Sequence, residues 1–347
     1  MVTEPVTTVD NDNSRITIKE IAEMARVSKT TVSRVINGKP DVSHSTRARV
    51  LDLIKETNFQ PNLFATGKTA QKINHIGLIV PYKTHNILSN QYYVDVLQGI
   101  LDEVERCDYY LFFCYVQKKN YVEIYKQKRV DGFILLSPGA LHHSIINELK
   151  KEGIPFVSTA KVLDRPDIPF VEVDNYRGAE MAVEHLISLG HRRIAFVGKP
   201  SLTSNHDRLL GYQQTLELHG IQVDERYIQR VEASSVESGY EVMNQLLRME
   251  APPSALFSSC DIMAFGAMIA IQEQGLKVPD DISVIGFDDI LLSSNMSPAL
   301  TTIRQPAVHK GALAARQLIG YLSSGTKPLS QLLDVELIIR ASTGLAK

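Results

Sequence analysis

A short stretch near the N-terminus carries polar side chains at a spacing suited to contacting nucleic acid. Residues 17–37, TIKEIAEMARVSKTTVSRVIN, predict a helix, a short turn and a second helix that packs on the first through its apolar positions. The outer face of the second helix then carries Lys29, Thr30, Ser33 and Arg34. Hydroxyl and guanidinium groups near a helix start can reach base edges and phosphates in a major groove, and arginine binds guanine through two hydrogen bonds. The pattern favours DNA binding over the alternative, an ordinary solvated helix face.

Motifs that carry catalysis or bind cofactors are missing from the sequence. It contains no G-x-S-x-G, H-E-x-x-H or C-x-x-C segment, and no G-x-G-x-x-G after a predicted strand. His142 and His143 are neighbours at a predicted helix start and point about 100° apart, which does not suit a metal pair. The segment Gly67-Lys68-Thr69 resembles the end of a phosphate-binding loop, but Asn62 replaces the first glycine and no strand precedes it. We therefore expect no enzyme activity, no cofactor and no metal site.

Charge is distributed unevenly along the 347 residues. The net charge of −2 is made up of −3 in residues 1–12, +6 in residues 13–72 and −5 in the remainder. A small basic segment joined to a larger acidic body is typical of a protein whose first domain binds a polyanion. A chance fluctuation in a short segment is the alternative, so the charge supports DNA binding without deciding it.

Composition restricts the protein class and its compartment. Hydrophobic residues make up 44% and charged residues 22% of the chain, and no apolar run approaches the roughly 18–20 residues that span a bilayer. The three cysteines, Cys107, Cys114 and Cys260, are too few and too widely spaced for a disulfide framework. These features exclude a membrane protein and a disulfide scaffold, and they predict a cytoplasmic location.

Three short helices within residues 15–60 must position the polar face. Ser28 can cap the second helix, and Asn37-Gly38-Lys39-Pro40 ends it, because glycine adopts the left-handed conformation and proline cannot continue a helix. Ser43 or Ser45 can cap the third helix. Residues 1–14 lack a periodic apolar pattern and predict a disordered tail.

From His75 onward, apolar runs of strand length alternate with helical segments. The runs lie at residues 75–81, 109–116, 131–136, 155–160, 170–174, 193–198, 255–260 and 282–288. Continuous apolar strands separated by helices indicate parallel sheets covered on both faces, and two such blocks dividing near Asp174 predict two doubly wound subdomains. Ligands of such folds bind at the carboxyl ends of the strands, here across a cleft between the subdomains.

These segments resemble the lactose-repressor (LacI/GalR) family of bacterial transcription regulators. The most specific likenesses are VSKTTVSRVINGKP, V-S-x-x-T-R at 42–47 and F-x-P-N at 59–62, and the similarity continues through LGHRRIAFVG, SCDIMAFGA, VPDDISVIGFDD and PALTTIRQP. The resemblance covers the chain from Thr17 onward. It implies an all-α helix-turn-helix headpiece, a hinge or linker at 61–74, and an α/β effector-binding and dimerisation domain at 75–347. The latter consists of two doubly wound parallel-sheet subdomains like those of periplasmic binding proteins, joined by crossover segments and spanning about 75–173 plus 303–330 and about 174–302 plus 331–347.

The function implied by the resemblance is that of an effector-responsive, sequence-specific transcriptional regulator. Such a protein acts as a homodimer on double-stranded operator DNA, either as a repressor or as an activator, and we expect a repressor of a metabolic, carbohydrate-related operon. Its effector is a sugar or a sugar derivative. The resemblance also implies DNA contacts by Thr17, Ser28, Thr31, Asn37, Asn62 and Ala65.

The sequence departs from the family pattern at two places in the DNA-binding region. Arg26 stands where a tight turn usually has a small residue, and an arginine in the left-handed conformation is strained by about 1–2 kcal/mol unless the turn has another shape. Lys68 stands where the family has a leucine that enters the minor groove, and Gly67 weakens the hinge helix. We therefore make no prediction of a kinked operator.

The resemblance places five side chains in the effector pocket, Tyr92, Tyr93, Asp174, Arg208 and Asp288, and Phe257 is a further candidate because it closes another strand toward the cleft. Charged groups at strand ends can bind hydroxyl groups, and Arg208 can also bind a carboxylate or phosphate, although Asp174 and Arg208 could instead pair with each other. Tyr92 or Tyr93 can stack on a sugar and donate a hydrogen bond, but two neighbours on a helix cannot both point inward. Phe257 fits a packing role equally well.

Two other functions remain open from the sequence. The altered hinge and Arg26 fit a small-molecule binding protein whose headpiece no longer reads DNA specifically. Segment 82–90 is longer and segment 116–129 shorter than usual, which fits a regulator controlled by a protein partner.

Overall fold

Two compact units make up the chain, Met1–Gln71 and Lys72–Lys347. The computed structural model describes residues 16–36, 38–57, 59, 73–80, 90–114, 121–136, 143–199 and 202–347. The predicted tail, nearly all of the predicted hinge and the predicted DNA contacts Asn37, Asn62 and Ala65 lie outside these ranges. Within them, no helix is long and apolar enough to cross a bilayer.

The first unit, the headpiece, contains the three predicted helices. They are α1 (Ile18–Met24), α2 (Lys29–Ile36) and α3 (His44–Glu56). Apolar side chains three or four positions apart on each helix meet in a small core of Ile21, Ala22, Ala25, Val32, Val35, Val50 and Phe59. Ser43, and not Ser45, caps α3, because its hydroxyl accepts a hydrogen bond from the Thr46 N–H at 3.3 Å.

The turn between α1 and α2 holds Arg26 in the left-handed conformation, with φ of +52°. Backbone hydrogen bonds fasten this turn, since Arg26 N–H donates to the Glu23 carbonyl at 3.1 Å and Val27 N–H to the Ala22 carbonyl at 3.0 Å. The tight turn is therefore retained although a side chain costs about 1–2 kcal/mol in this conformation.

A four-stranded parallel sheet forms the first lobe of the second unit. Its strands are β1 (His75–Ile79), β2 (Tyr110–Cys114), β3 (Gly132–Leu135) and β4 (Phe156–Ser158), in the order β2-β1-β3-β4. Helices α4 (Gln91–Arg106), α5 (Tyr121–Lys126) and α6 (His143–Lys151) lie between successive strands. The residues of β3 and β4 are all buried, as expected for strands covered on both faces.

A two-stranded sheet and a long helix adjoin the first lobe. Strands β5 (Val171–Val173) and β11 (Gln331–Leu333) pair in parallel, and α12 (Ala307–Ser324) packs against α4, β3, β4 and β5. The chain therefore leaves the first lobe after β5 and returns to it in α12. This is the crossover arrangement expected of a two-lobed sensor.

A six-stranded sheet forms the second lobe. Its strands are β6 (Ile194–Gly198), β7 (Ile228–Arg230), β8 (Ala255–Ser258), β9 (Ser283–Asp288), β10 (Thr301–Arg304) and β12 (Glu336–Ile338). Their order is β12-β10-β9-β8-β6-β7, and all neighbours are parallel except β10 and β12. The helices are α7 (Asn175–Ser188), α8 (Thr203–Leu218), α9 (Val236–Leu247), α10 (Asp261–Glu273) and α11 (Leu291–Asn295).

The predicted class, a helical headpiece followed by two doubly wound α/β lobes, is confirmed. One predicted boundary is displaced: the division between residues 302 and 303 falls inside β10, so Ile303 and Arg304 belong to the second sheet. A strand pairs along its whole length with its neighbour, which a boundary inside it would interrupt.

Candidate functional site

The outer face of α2 presents polar side chains over a fully apolar inner face. Lys29, Thr30 and Arg34 are exposed, whereas Val32 and Val35 are buried in the headpiece core. Ser33 is half-buried on the same helix. The helical period alone produces this division, because positions three or four apart share a face. The exposed side chains are those that the sequence assigns to DNA.

Two of the other predicted DNA contacts, Thr17 and Ser28, take part in the caps of helices, and a third, Thr31, contacts Ser28. Thr17 and Glu20 form a capping box at α1, with the Glu20 carboxylate accepting from Thr17 N–H at 2.6 Å and from the Thr17 hydroxyl at 2.9 Å. Ser28 Oγ accepts from Thr31 N–H at 3.1 Å and lies 2.9 Å from Thr31 Oγ1. In the free headpiece, these residues therefore fix the ends of α1 and α2.

Arg34 has a partner within the headpiece. Its Nη1 lies 3.1 Å from Oδ2 of Asp41, in the segment between α2 and α3. Both side chains remain about half exposed, so the pair lies at the surface. The sequence did not single out Asp41.

In the second lobe, Arg208 and Asp288 lie together in one polar cluster. Asp288 ends β9 and Arg208 lies on α8, and Arg208 Nη1 is 3.9 Å from Asp288 Oδ1. The guanidinium group stacks on Phe287 at 3.5 Å from the ring centre, and its Nε donates to Asn175 Oδ1 at 2.9 Å. A further donor, Nη1, bonds the carbonyl oxygen of Ser259. Arg208 is thus fixed in one orientation.

Burial raises the pKa of Asp288 to about 8, against the stabilising influence of the Arg208 guanidinium. The carboxyl group also accepts a hydrogen bond from Gln305 Nε2 at 2.6 Å. At neutral pH this group is therefore held largely in its neutral form, in which it can donate as well as accept a hydrogen bond.

Two buried polar atoms beside this pair lack a hydrogen-bond partner among the described residues. They are Oε1 of Gln305, whose amide nitrogen bonds Asp288, and Oγ of Ser259, whose carbonyl bonds Arg208. A buried polar atom without a partner costs about 1–3 kcal/mol. Both atoms can accept a hydrogen bond, so the arrangement favours a ligand that brings hydroxyl or amine donors.

Tyr92 is held by a buried ion pair that the sequence did not reveal. Lys310 Nζ on α12 donates to the Tyr92 hydroxyl oxygen at 2.9 Å and also bonds the Glu172 carboxylate on β5. Burial raises the pKa of Tyr92 to about 12, so the side chain stays a neutral phenol. Because its oxygen accepts from Lys310, its own O–H remains a hydrogen-bond donor.

The tyrosine pair does not divide into one inward and one outward side chain. Tyr92 and Tyr93 are both half-buried, and their rings contact each other edge to face with centres 5.2 Å apart. Both tyrosines pack against an apolar cluster that includes residues of both lobes, and Tyr92 alone of the two also packs against a second described cluster, which lies within the second lobe. Tyr92 is therefore the tyrosine placed between the lobes.

Two predicted effector residues have structural roles here. Asp174 caps α7 by accepting from Arg177 N–H at 2.9 Å, and among the described side chains the carboxyl group beside Arg208 is that of Asp288, so the alternative of an Asp174–Arg208 pair is wrong. Phe257 has no exposed surface and packs on Phe196 with ring centres 5.5 Å apart. The packing alternative therefore holds for Phe257, because a side chain in mid-sheet is covered by helices on both faces.

The residues that sequence reasoning missed come from α12, from β5 and from the segments after β8 and β10. Lys310 and Glu172 belong to no motif that was noted. Gln305 stands in the PALTTIRQP segment and Ser259 begins the SCDIMAFGA segment, so both lay inside segments already noted. A lysine inside a helix whose other buried residues are apolar is the signal that could have indicated Lys310.

Comparison with known proteins agrees with this division of the chain. Residues 17–62 match the model of the bacterial regulatory proteins of the lacI family, and residues 183–343 match a periplasmic binding protein-like domain. The chain is 35% identical over 330 residues to the probable HTH-type transcriptional repressor ExuR of Bacillus subtilis (strain 168), which covers 94% of this chain and 98% of that protein.

Two solved structures are similar over nearly the whole length. The lac repressor dimer bound to operator and the anti-inducer ONPF has a TM-score of 0.79 and 30% identity, covering 95% of this chain and all of that one. The complex of the transcriptional regulator CelR with cellobiose has a TM-score of 0.71 and 28% identity, covering 94% and 100%. From its headpiece, its two lobes and these similarities, the protein belongs to the lacI family of bacterial regulatory proteins and is a DNA-binding transcriptional regulator.

Proposed function

We propose that the protein is a repressor that binds a palindromic operator as a homodimer and changes its operator affinity when a sugar binds between the two lobes. The observation that carries the DNA-binding part is the face of α2, where Lys29, Thr30 and Arg34 stand exposed above a buried apolar side. Such a helix fits a major groove, with arginine reading guanine.

Asymmetry in charge supports the same function. Residues 13–72 carry +6, while the remainder after residue 72 carries −5. A basic headpiece is attracted to phosphates, and an acidic body keeps the sensor off the DNA. Each phosphate that the headpiece neutralises lowers log K by about 0.9 per tenfold rise in salt concentration.

The edge of the first lobe supports assembly into a homodimer. Strand β2 lies at the edge of its sheet, and Tyr110, Phe112 and Phe113 are exposed there, Tyr110 to 70%. Exposed aromatic side chains on a sheet edge mark a surface that a partner covers. Two linked headpieces gain affinity only where their separation matches that of the half-sites.

The effector part rests on the polar atoms around Arg208. The Tyr92 O–H is a donor, the Gln305 Oε1 and Ser259 Oγ atoms have no hydrogen-bond partner in the part of the chain that the structure describes, and the neutral carboxyl group of Asp288 can both donate and accept. A sugar offers hydroxyl groups that donate and accept, so it can satisfy all of these atoms at once. Cellobiose, the ligand in the CelR structure, is the first compound to try.

Coupling between the lobes has a candidate contact at the cleft. Lys161, which follows β4, lies with its Nζ 3.2 Å from Oδ2 of Asp207, on α8 beside Arg208. A ligand that binds one arrangement of the lobes more tightly shifts the population toward that arrangement, and the spacing of the two headpieces changes with it.

A regulator of this kind would act in the cytoplasm, where its operator DNA lies.

Arg34→Ala tests the DNA-binding part, with Arg49→Ala as its control. Both changes remove one positive charge from the headpiece, but Arg49 is an exposed residue of α3. We expect Arg34→Ala to lose about 1–3 kcal/mol of binding to the selected operator and to lose preference at one base pair. Arg49→Ala should keep the base preference. Equal effects of both changes, in fluorescence anisotropy titrations at fixed salt, would show that α2 does not read bases.

A further inference from the structure

Asp41 lies next to the arginine that is assigned to base reading, in a segment that is fastened at both ends. Lys39 N–H donates to the Arg34 carbonyl at 3.0 Å, closing the end of α2. Arg47 of α3 donates from Nη2 to the Lys39 carbonyl oxygen, and the Ser43 hydroxyl starts α3. The carboxylate of Asp41 is therefore held at a defined place between the two helices.

The contact uses only one edge of the guanidinium group. Asp41 Oδ2 lies 3.1 Å from Arg34 Nη1. Arginine has five N–H donors in a rigid fork, and a guanine is read by two of them, through O6 and N7. With Asp41 on Nη1, the edge formed by Nε and Nη2 remains for the base. The carboxylate can thus hold the guanidinium group in place without blocking the Nε and Nη2 donors.

The negative charge of Asp41 also disfavours binding of Arg34 to a DNA phosphate. An exposed guanidinium group binds phosphate oxygens readily, and such contacts carry no sequence information. An anion beside the guanidinium group repels a charged phosphate more strongly than it repels the uncharged guanine edge of O6 and N7. The contact therefore favours the base over the backbone as the partner of Arg34.

We propose that Asp41 is a positioning residue for base reading, which presents Arg34 to one guanine of the operator and disfavours its contact with phosphates. This proposal rests on the proposed function, because it requires α2 to lie in the major groove. It assigns to Asp41 a role in specificity that is separate from any role in folding.

Asp41→Asn tests the proposal, with Asp52→Asn as the matched control. Both substitutions remove one negative charge from the headpiece, and Asp52, exposed on α3, has no ion pair among the described residues. The full-length protein is first used to select its motif from random-sequence duplexes. The base pair read by Arg34 is the one whose preference is lost in Arg34→Ala. Affinities are then measured for the motif, for the motif with that guanine replaced, and for an unrelated duplex.

Three results are expected. Replacing the guanine weakens binding of the wild-type protein by about 5- to 150-fold. In Asp41→Asn this ratio falls by about two- to fivefold, the range that an exposed ion pair supports. Affinity for the unrelated duplex rises in both Asp41→Asn and Asp52→Asn, because each loses a negative charge, but Asp52→Asn keeps the wild-type ratio.

A double-mutant cycle separates positioning from a change in folding. Arg34→Lys keeps the positive charge but cannot form the two-pronged contact, so adding Asp41→Asn to it should leave the guanine ratio unchanged. An unchanged ratio in Asp41→Asn, or an equal fall in Asp52→Asn, overturns the proposal while leaving DNA reading by α2 intact. A wild-type protein that selects no motif overturns both.

Discussion

Lys310 is a buried cation, and its contacts with one carboxylate and one phenol offset the desolvation free energy of burying the charge. It is 1% exposed and Glu172 is 3% exposed, and their ion pair is completed by the Tyr92 hydroxyl. Although burial lowers the pKa of Lys310, the Glu172 carboxylate raises it above its usual value, so the lysine stays charged. Removing either member alone leaves a buried charge without a partner.

Lys310→Met should destabilise the protein by about 3–5 kcal/mol, because it leaves the Glu172 carboxylate buried and unpaired. The double variant Lys310→Met with Glu172→Leu removes both charges and should recover most of that loss. Urea unfolding of the full chain, followed by circular dichroism, measures both. If the double variant is no more stable than the single one, the loss comes from the missing ion pair between α12 and β5 and not from the unpaired carboxylate.

Asp288 makes the stability of the protein depend on pH. Burial raises its pKa from 3.8 to about 8, so between these values the folded state keeps a proton that the unfolded chain releases. Its contribution is complete below the lower pKa and is lost as the pH rises through the upper one. One proton corresponds to a slope of at most about 1.4 kcal/mol per pH unit.

Asp288→Asn removes the carboxyl group that binds this proton. The unfolding free energy of the wild-type protein minus that of Asp288→Asn should therefore fall as the pH rises from about 5 to 8. Urea unfolding of both proteins across this range measures the difference. A difference that is constant or rises with pH would mean that the Asp288 carboxyl group is ionised throughout.

Single residues were predictable where their position in an element defined their surroundings. Arg208 and Asp288 were expected from the family resemblance, in agreement with the rule that strand ends line the cleft, and the structure brings them together. Phe257 also stands near a strand end in the sequence, but it lies one residue before the end of β8 and has no exposed surface. Lys310 could not be placed, because a pattern does not tell whether a polar residue on a buried helix face has a partner across the fold.

At the level of elements, α4 and α12 pack with their backbones in contact. A Cβ atom at Gly99 would overlap the carbonyl oxygen of Val308, and one at Gly311 would overlap the carbonyl oxygen of Val96. Each glycine therefore admits the backbone of the opposite helix. The close packing brings Lys310, next to Gly311, within reach of Tyr92 on α4.

Gly311→Ala should destabilise the protein by about 1–3 kcal/mol through this overlap, because backbone atoms cannot move aside cheaply. Gly320→Ala is the control on the same helix, since nothing lies within 4 Å of its Cβ position, and it should be neutral or stabilising by up to about 1 kcal/mol. Thermal unfolding of the two variants compares them. Equal effects would show that α12 can shift away from α4 without loss.

The sequence predicts elements well where the apolar pattern is strong. Each of the eight strand-length runs contains an observed strand, because continuous apolar residues are required where helices cover both faces of a sheet. The strands β11 and β12 have three residues each and exposed positions, so their pattern is too weak to read. Helix α12 was also missed, because its buried face consists mainly of alanine, glycine and one lysine.

Across the whole molecule, a basic headpiece and an acidic two-lobed body form separate compact units. The fold and the family follow from the order of motifs along the sequence, which both family models and long relatives match. The identity of the effector does not follow, because the atoms proposed to select it converge from α4, α8, β9 and the segment after β10. No short motif records that convergence.

Selection of bound fragments from random-sequence duplexes, by the full-length protein with and without cellobiose and a panel of other mono- and disaccharides, tests the central claim most directly. We predict a palindromic motif of two half-sites, and a change in its enrichment in the presence of at least one sugar. Enrichment abolished by the sugar would identify an inducer, and enrichment that requires it a corepressor. Binding that is salt-sensitive but independent of sequence under every condition would contradict the account.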